Sequence, residues 1–320
     1  DITLNNLYLS GNRADNGGLC GGMINSGSLT MSHCVFDANV ATNGYGGGLY
    51  NPGTAVANGC LWSANQAFNS AGGGIYNGGT LTLNNCTLYG NSATNGAGGG
   101  LFSQYATNTL INCTICENSA PGGSGGGFYN GYSSAAMLTN TIVAENTAEN
   151  GADVDGSFSG LANFVGGNPQ LAALDNYGGP TDAMPPEFGS PVIDAGTDWV
   201  TNFLAADQRG FPRLAGVHVD IGAAEAQTAA ADNPPVLKDA RTYAMSSQGF
   251  PLQNFFAFSF TNAADADFTV LTTTNLAVPS ARWTVWGNVS QLSPPMPPGE
   301  FSVVGLPTFN PQAFYRVVSP

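Results

Sequence analysis

Between Thr80 and Leu88 the chain reads Thr-Leu-Thr-Leu-Asn-Asn-Cys-Thr-Leu, with apolar positions alternating with threonines on both sides of the asparagine pair. Alternation with period two marks a strand with one buried face. Leu81 and Leu83 share one parity, Cys86 and Leu88 the other. Inside one flat strand that change would turn the apolar set outward, so Asn84-Asn85 is predicted to be a corner between two short strands. A third short strand is predicted after the next glycines, where Leu49, Ile75, Leu101 and Phe128 are each followed by an aromatic residue.

The pattern recurs along the first half of the chain. Cys34, Cys60, Cys86 and Cys113 are spaced by 26, 26 and 27 residues. Asn12, Asn39, Asn65, Asn91, Asn118 and Asn146 keep the same beat, as do glycine triplets beginning at Gly46, Gly72, Gly98 and Gly125. Three strands and three corners in about 26 residues make one coil of a parallel β-helix. Coils stack about 4.8 Å apart, so each repeat position becomes a ladder along the axis. One predicted inward ladder runs Leu4, Met31, Ala57, Leu83, Leu110, Leu138, and another runs Leu9, Phe36, Trp62, Leu88, Ile115, Val143. Thr3, Thr30, Thr82 and Thr109 form an outward one. The asparagines are predicted to stack amide on amide and satisfy corner backbone groups. The cysteine ladder reads as buried soft hydrophobes in preference to disulfides between coils, since Leu7 and Thr141 fill the same slot elsewhere. Cys20 and Cys116 fall off this ladder, and Cys113-x-x-Cys116 lacks the second pair or His of a zinc site.

After about Gly160 the beat is lost. Residues 161–228 are predicted to form irregular last coils and a cap, giving a β-helix over 1–228 whose regular coils end at 160. Ala229-Ala-Ala-Asp-Asn-Pro-Pro235 has linker composition. Residues 236–320 form a second unit, with short strands predicted at 255–260, 268–272, 282–287, 299–304 and 314–318. The expected fold is all-β: a right-handed, single-stranded, three-faced parallel β-helix followed by a small antiparallel β-sandwich.

The motifs Asn168-Pro-Gln-Leu, Asp175-Asn-Tyr-Gly-Gly-Pro-Thr181, Gly189-Ser-Pro-Val-Ile-Asp-Ala-Gly196, Asp207-Gln-Arg-Gly-Phe-Pro-Arg213 and Asp220-Ile-Gly-Ala-Ala-Glu225 follow one another in order. This run resembles the choice-of-anchor Q family of bacterial surface proteins. The preceding coils are similar to repeats of polymorphic outer-membrane and other β-helical adhesin-type proteins. The resemblance covers about residues 1 to 226 and implies secretion, a right-handed parallel β-helix and a variable C-terminal segment that helps retain or sort the protein. Residues 269–276, 283–285 and 314–320 resemble a C-terminal module common on secreted proteins of environmental bacteria.

Charge narrows the function. Of the 320 residues only 9% are charged and the net charge is −14, so nucleic acid and anionic membranes are excluded as partners. No run of 18 apolar residues suggests a transmembrane segment. In residues 1–150 the only cation is Arg13, which leaves a polysaccharide lyase without the basic group that binds and deprotonates a uronate. Glu117 and Glu145 share a rung, as a hydrolase would want. With Asp153 and Asp155 nearby they would equally suit Ca²⁺, and solvated acids on a turn are the plainer reading. Neither His33 nor His218 has a neighbour that makes it a general base. Arg209 and Arg213 beside Asp207, Asp194 and Asp220 read as a structural salt-bridge cluster. Tyr50, Tyr76, Phe102 and Tyr129 form an outward aromatic stripe about 15 Å long, suited to sugar rings or a neighbouring protein, or else covered by the chain's own loops.

Ile2-Thr-Leu-Asn-Asn-Leu7 is already a repeat, so the open coil is expected to be covered by upstream residues or by another subunit. Repeated head to tail, the second option makes a fibre. The expected function is that of a non-enzymatic, extracellular structural or adhesive bacterial surface protein that assembles into a filament. It would need no cofactor, and its partner would be itself or a cell-surface or glycan ligand. A carbohydrate-binding or glycoside-cleaving β-helix is the rival.

Overall fold

A coil can close only where the backbone bends sharply, and the left-handed region supplies that bend. In the computed structural model one corner is made by Asn6, His33, Gly59, Asn85, Asn112 and Asn140, with φ from 48° to 60°. The next is made by Gly11, Ala38, Ala64, Gly90, Glu117 and Glu145, each the residue before a ladder asparagine. Gly46, Gly72, Gly98 and Gly125 make the third, with φ from 65° to 73°. The middle glycine of each triplet answers a different need. A Cβ on Gly73 would sit 2.4 Å from the Gly99 carbonyl oxygen and 2.5 Å from that of Ser92, so successive backbones meet there with no room for a side chain.

The structure describes residues 1–15 and 17–227, and beyond them the backbone of six strands. It is a parallel β-solenoid. One coil contributes Thr80–Asn84, Thr87–Tyr89, Ser92–Ala93 and Leu101–Gln104, and equivalent strands stack into parallel ladders of seven, seven, six and six. Four strands per coil replace the three expected. The additional strand has only two residues in most coils, too short to display any alternation.

Both inward apolar ladders lie in register as expected, from Leu4 opposite Met31 to Leu110 opposite Leu138, and from Leu9 opposite Phe36 to Ile115 opposite Val143. Phe36 and Trp62 are fully buried and stack with ring centroids 5.2 Å apart. Leu49, Ile75, Leu101 and Phe128 are fully buried on the fourth ladder.

After Phe164–Val165 the chain adds no strand to any ladder. Of residues 161–228, expected as irregular last coils and a cap, 161–165 still end the first two ladders, and 166–226 run instead as a strap along the outside of the second ladder. Asn140 Nδ2 donates to the Thr197 carbonyl (3.0 Å), the Ala223 amide donates to Thr114 Oγ1 (3.0 Å), Asn85 Nδ2 donates to the Ala206 carbonyl (2.9 Å) and Thr181 Oγ1 donates to the Gly59 carbonyl (3.1 Å). The reason lies on the solenoid flank, where Ile111, Cys116 and Ile142 point outward and need cover. Met184, Val192 and Ile221 bury Cys116 and Ile142, and Val200 and Val219 bury Ile111. The off-ladder cysteine thus belongs to the strap interface. The only helix among the described residues is a 3-10 turn, Asp198–Asn202, and no helix there is long and apolar enough to cross a membrane.

The chain divides into two compact units, Asp1–Leu174 with Gly179–Ala226, and Asp175–Gly178 with Gln227–Pro320. In the second, Lys238–Met245, Gln253–Thr261 and Glu300–Pro307 form one three-stranded antiparallel sheet, and Thr284–Val289, Phe268–Thr273 and Phe314–Val318 form another. Lys238–Met245 is a strand that the sequence reading missed, because Lys-Asp-Ala-Arg-Thr-Tyr-Ala-Met carries three charges and no clean alternation. The linker expected at 229–235 lies outside the described residues.

Candidate functional site

Each outward residue of the fourth ladder is set by the inward one before it. Because Leu49, Ile75, Leu101 and Phe128 face the core, Tyr50, Tyr76, Phe102 and Tyr129 must face out. They stack along the axis: Tyr50–Tyr76 5.4 Å edge to face, Tyr76–Phe102 4.7 Å, Phe102–Tyr129 5.1 Å and nearly parallel. The sequence reading missed three members. Tyr45 lies 4.8 Å from Tyr76, Tyr132 lies 6.1 Å from both Phe102 and Tyr129, and Tyr105 lies 6.1 Å from Tyr132. They come from corners and loops, outside the repeat, so no ladder announces them. They also change which rings meet solvent. Tyr76 and Phe102 are only 6% exposed, whereas Tyr45, Tyr105 and Tyr132 are 42%, 71% and 52% exposed. Burial, and then the neighbouring Tyr45 and Tyr50, push the Tyr76 hydroxyl up to about 12.

The acidic candidates sit elsewhere. Glu117 and Glu145 occupy equivalent corner positions on adjacent coils, both solvent-exposed. Glu117 accepts a hydrogen bond from the Tyr89 hydroxyl at 2.8 Å. The Glu145 carboxyl is raised, mostly by partial burial and then by the charges of Glu117 and Asp153. Asp153 has a different task. Its Oδ1 accepts from both the backbone N–H and Nδ2 of Asn146, each at 3.0 Å. It therefore ends the asparagine ladder, in which every Oδ1 accepts the backbone N–H and Nδ2 of the preceding asparagine, as Asn91 does from Asn65 at 3.0 and 2.9 Å. A carboxylate only accepts, so it fits the accepting end of such a chain. Asp155 pairs across the fourth ladder with Tyr129. Among the described residues no group of three or more His, Cys, Asp or Glu is placed to hold a metal ion.

A second asparagine ladder went unread. Asn25 donates to Asn51 (2.7 Å), Asn51 to Asn77 (2.9 Å) and Asn77 to Asn108 (2.9 Å). The signal was present in Tyr50-Asn51, Tyr76-Asn77 and Tyr129-Asn130, but Phe102-Ser103 breaks it. Serine is too short to bridge. Asn108 takes over from the neighbouring strand, accepting from Ser103 Oγ at 3.1 Å and occupying the column that Ala55 and Leu81 fill in earlier coils.

All six cysteines are unpaired. The buried ladder thiols act as small polar groups as well as hydrophobes: the Cys34 amide donates to Cys60 Sγ (3.3 Å) and the Cys60 amide to Cys86 Sγ (3.4 Å). Cys113 Sγ donates to the Leu83 and Ile111 carbonyls, and Thr141 Oγ1 repeats that pattern one coil on with Leu110 and Thr139. A hydroxyl therefore replaces a thiol in this slot without loss. Burial pushes the Cys113 thiol up to about 12 and Cys20 to about 11, and raises Cys116 further. A neutral-pH thiol reagent is expected to leave Cys34, Cys60, Cys86 and Cys113 unmodified in the native protein and to label them in urea. Rapid labelling of the native protein would contradict the buried ladder.

The arginine cluster holds the strap, but with other acids than expected: Asp207 pairs as read, Glu225 stands beside the second arginine, and Asp220 uses its carboxylate on the Asp194 and Ala226 amides. Arg209 pairs with Asp207 at 2.7 Å. Arg213 is fully buried and donates to the carbonyls of Asp220, Gly222 and Ala223 at 2.9, 2.7 and 3.1 Å, with Glu225 at 3.6 Å from its Nε. Asp194 instead uses its carboxylate on the His218 amide. Burial outweighs the attraction of Arg213 and raises the Glu225 carboxyl from 4.5 to about 8. A raised carboxyl stabilises the fold through its protonated form, in full below its unfolded value and progressively less as pH rises through the folded one. Melting temperature is expected to fall between about pH 5 and 8, and Glu225→Gln to flatten that fall; an identical pH profile in the variant would rule Glu225 out as its source.

Comparison with known protein families, curated proteins and solved structures finds no match for this chain.

Proposed function

We propose that this chain is a non-enzymatic, secreted structural or adhesive protein of a bacterial surface that makes contact through the aromatic face of its solenoid. The observation that carries this reading is the continuous run of seven rings from Tyr45 to Tyr132, with three of them exposed on a scaffold of low charge. Large rigid aromatics supply contact area at low entropic cost, and contiguous exposed apolar patches mark interaction sites. Other polar groups are spent on the scaffold itself, Asp153 and the buried asparagines among them. The resemblance to choice-of-anchor Q and polymorphic outer-membrane proteins supports the surface location and a right-handed coil, and the strand pattern of residues 236–320 supports a C-terminal β-sandwich.

Head-to-tail assembly into a filament is part of the same proposal. Among the described residues, Ser159–Leu161 and Phe164–Val165 end their ladders with a neighbour on one side only, and Leu161 and Val165 are 57% and 44% exposed. Unpaired strand edges template further pairing. Negative-stain electron microscopy is expected to show ordered fibres; discrete monomers at high concentration would remove assembly from the proposal. For adhesion, replacing Tyr45, Tyr105 and Tyr132 together by Asn is expected to leave the melting temperature nearly unchanged and to weaken binding to cell-surface preparations at least tenfold. Unchanged binding would sink the aromatic-face reading. The Glu117/Glu145 rung favours a glycosidase as second reading, and it stands only if Glu117→Gln abolishes turnover of an oligosaccharide by the wild-type protein.

A further inference from the structure

Where the fourth ladder hands over to the first, one coil needs only Gly78-Gly79 between Asn77 and Thr80. The next two coils take more, Gln104-Tyr105-Ala106 before Thr107 and Gly131-Tyr132-Ser133-Ser134 before Ala135. Each longer connection carries one tyrosine, and the backbone sets the two in register. Gln104 pairs with Gly131, and the Tyr105 amide donates to the Tyr132 carbonyl at 3.2 Å. Both residues adopt the left-handed conformation, with φ of 51° and 52°, which is uncommon for a bulky side chain.

The rings follow the backbone. Their centroids lie 6.1 Å apart, and Tyr105 and Tyr132 are 71% and 52% exposed. The other tyrosines of the aromatic face are placed differently. Tyr76 is buried with its hydroxyl held by Gln104 Oε1, and Tyr50 and Tyr129 are half-buried. Tyr45 is exposed, but the rings beside it are those of Tyr50 and Tyr76. Among the described residues of this face, Tyr105 and Tyr132 are therefore the pair of touching tyrosines with both rings open to solvent.

Two phenols fixed side by side favour a reaction that isolated tyrosines meet only by collision. A one-electron oxidant removes an electron and the hydroxyl proton from each ring. The two phenoxyl radicals then couple, forming a carbon–carbon bond between positions next to the two oxygens. The hydrogens on those carbons move to the oxygens and restore both phenols. With hydrogen peroxide as the terminal oxidant of a haem peroxidase, two tyrosines and one peroxide give one dityrosine and two waters. We propose that Tyr105 and Tyr132 are a modification site, at which an oxidant of this class joins adjacent coils through a dityrosine bond. All six cysteines are unpaired, so disulfides supply no such link. The bond would close the chain from 105 to 132 into a loop and restrict the unfolded state as a disulfide does. The inference uses two rings of the aromatic face but does not rest on adhesion or on filament assembly.

The test oxidises the full chain, kept dilute, with a haem peroxidase and hydrogen peroxide. The expected product is a monomer that shows dityrosine fluorescence, has lost two hydrogens in its intact mass and yields a cross-linked peptide joining Tyr105 to Tyr132. Tyr105→Phe and Tyr132→Phe keep both rings in place and are each expected to cut the yield at least tenfold, whereas Tyr45→Phe leaves it unchanged. The cross-linked monomer is expected to melt at a higher temperature than the untreated chain. Absence of dityrosine, a bond mapped to another pair, coupling between molecules alone, a yield that survives both Phe variants or an unchanged melting temperature would each overturn the inference. Both Phe variants retain the aromatic face and are expected to bind cell-surface preparations as the wild type does, so failure of the cross-link and failure of adhesion are read separately.

Discussion

Replacing Asn91 with alanine is expected to destabilise the solenoid by about 4 kcal/mol, although the change removes only a few atoms. Asn91 is fully buried at a corner that no sheet ladder reaches. Its Oδ1 accepts from the Asn65 backbone N–H and Nδ2, and its Nδ2 donates to the Trp62 carbonyl and to Asn118 Oδ1. Alanine supplies neither donor nor acceptor, and the partners stranded in the interior each lose the water they would otherwise have kept, at about 1–3 kcal/mol apiece. Asn95 provides the control. It bonds to Asn69 of the preceding coil at 2.7 Å, but in full view of solvent. Asn95→Ala is expected to cost less than about 0.5 kcal/mol, since water replaces the lost bond. Urea unfolding of the two variants separates burial from bond count. Equal shifts of midpoint would show that the buried ladder contributes no more than the exposed one.

Arg213→Ala is expected to release the strap, with a loss of about 3–5 kcal/mol. The guanidinium satisfies three backbone carbonyls and faces the buried carboxylates of Glu225 and Asp220, whose protonation burial already favours. Without it those carbonyls lose their donor and the acids their counter-charge. The readout is site-specific. Cys116 is buried beneath Met184, Val192 and Ile221, whereas Cys60, Cys86 and Cys113 lie inside the coils. In the variant Cys116 is expected to react with a thiol reagent while the ladder cysteines stay protected. Uniform protection would mean that the strap stays docked without Arg213, and uniform labelling would mean that strap and solenoid unfold together.

The sequence determined the solenoid because its logic is local and repeated. Period-two alternation at Leu81 and Leu83, the parity change at Asn84-Asn85 and the 26-residue beat of asparagines and cysteines each follow from one coil's geometry, and each recurs until only one architecture satisfies them all. The inward ladders and the four aromatic positions of the stripe follow from the same alternation. Only the tertiary structure decided what depends on residues far apart in the chain or outside the beat. The strap is placed by outward apolar side chains at Ile111, Cys116 and Ile142, and a single coil gives no sign of what will cover them. Tyr45, Tyr105 and Tyr132 complete the aromatic face from loops whose direction no repeat prescribes. Asp153, read from its spacing to Asp155 as a possible cation ligand, ends the asparagine ladder, because a chain of amides running through stacked coils needs an acceptor where it stops.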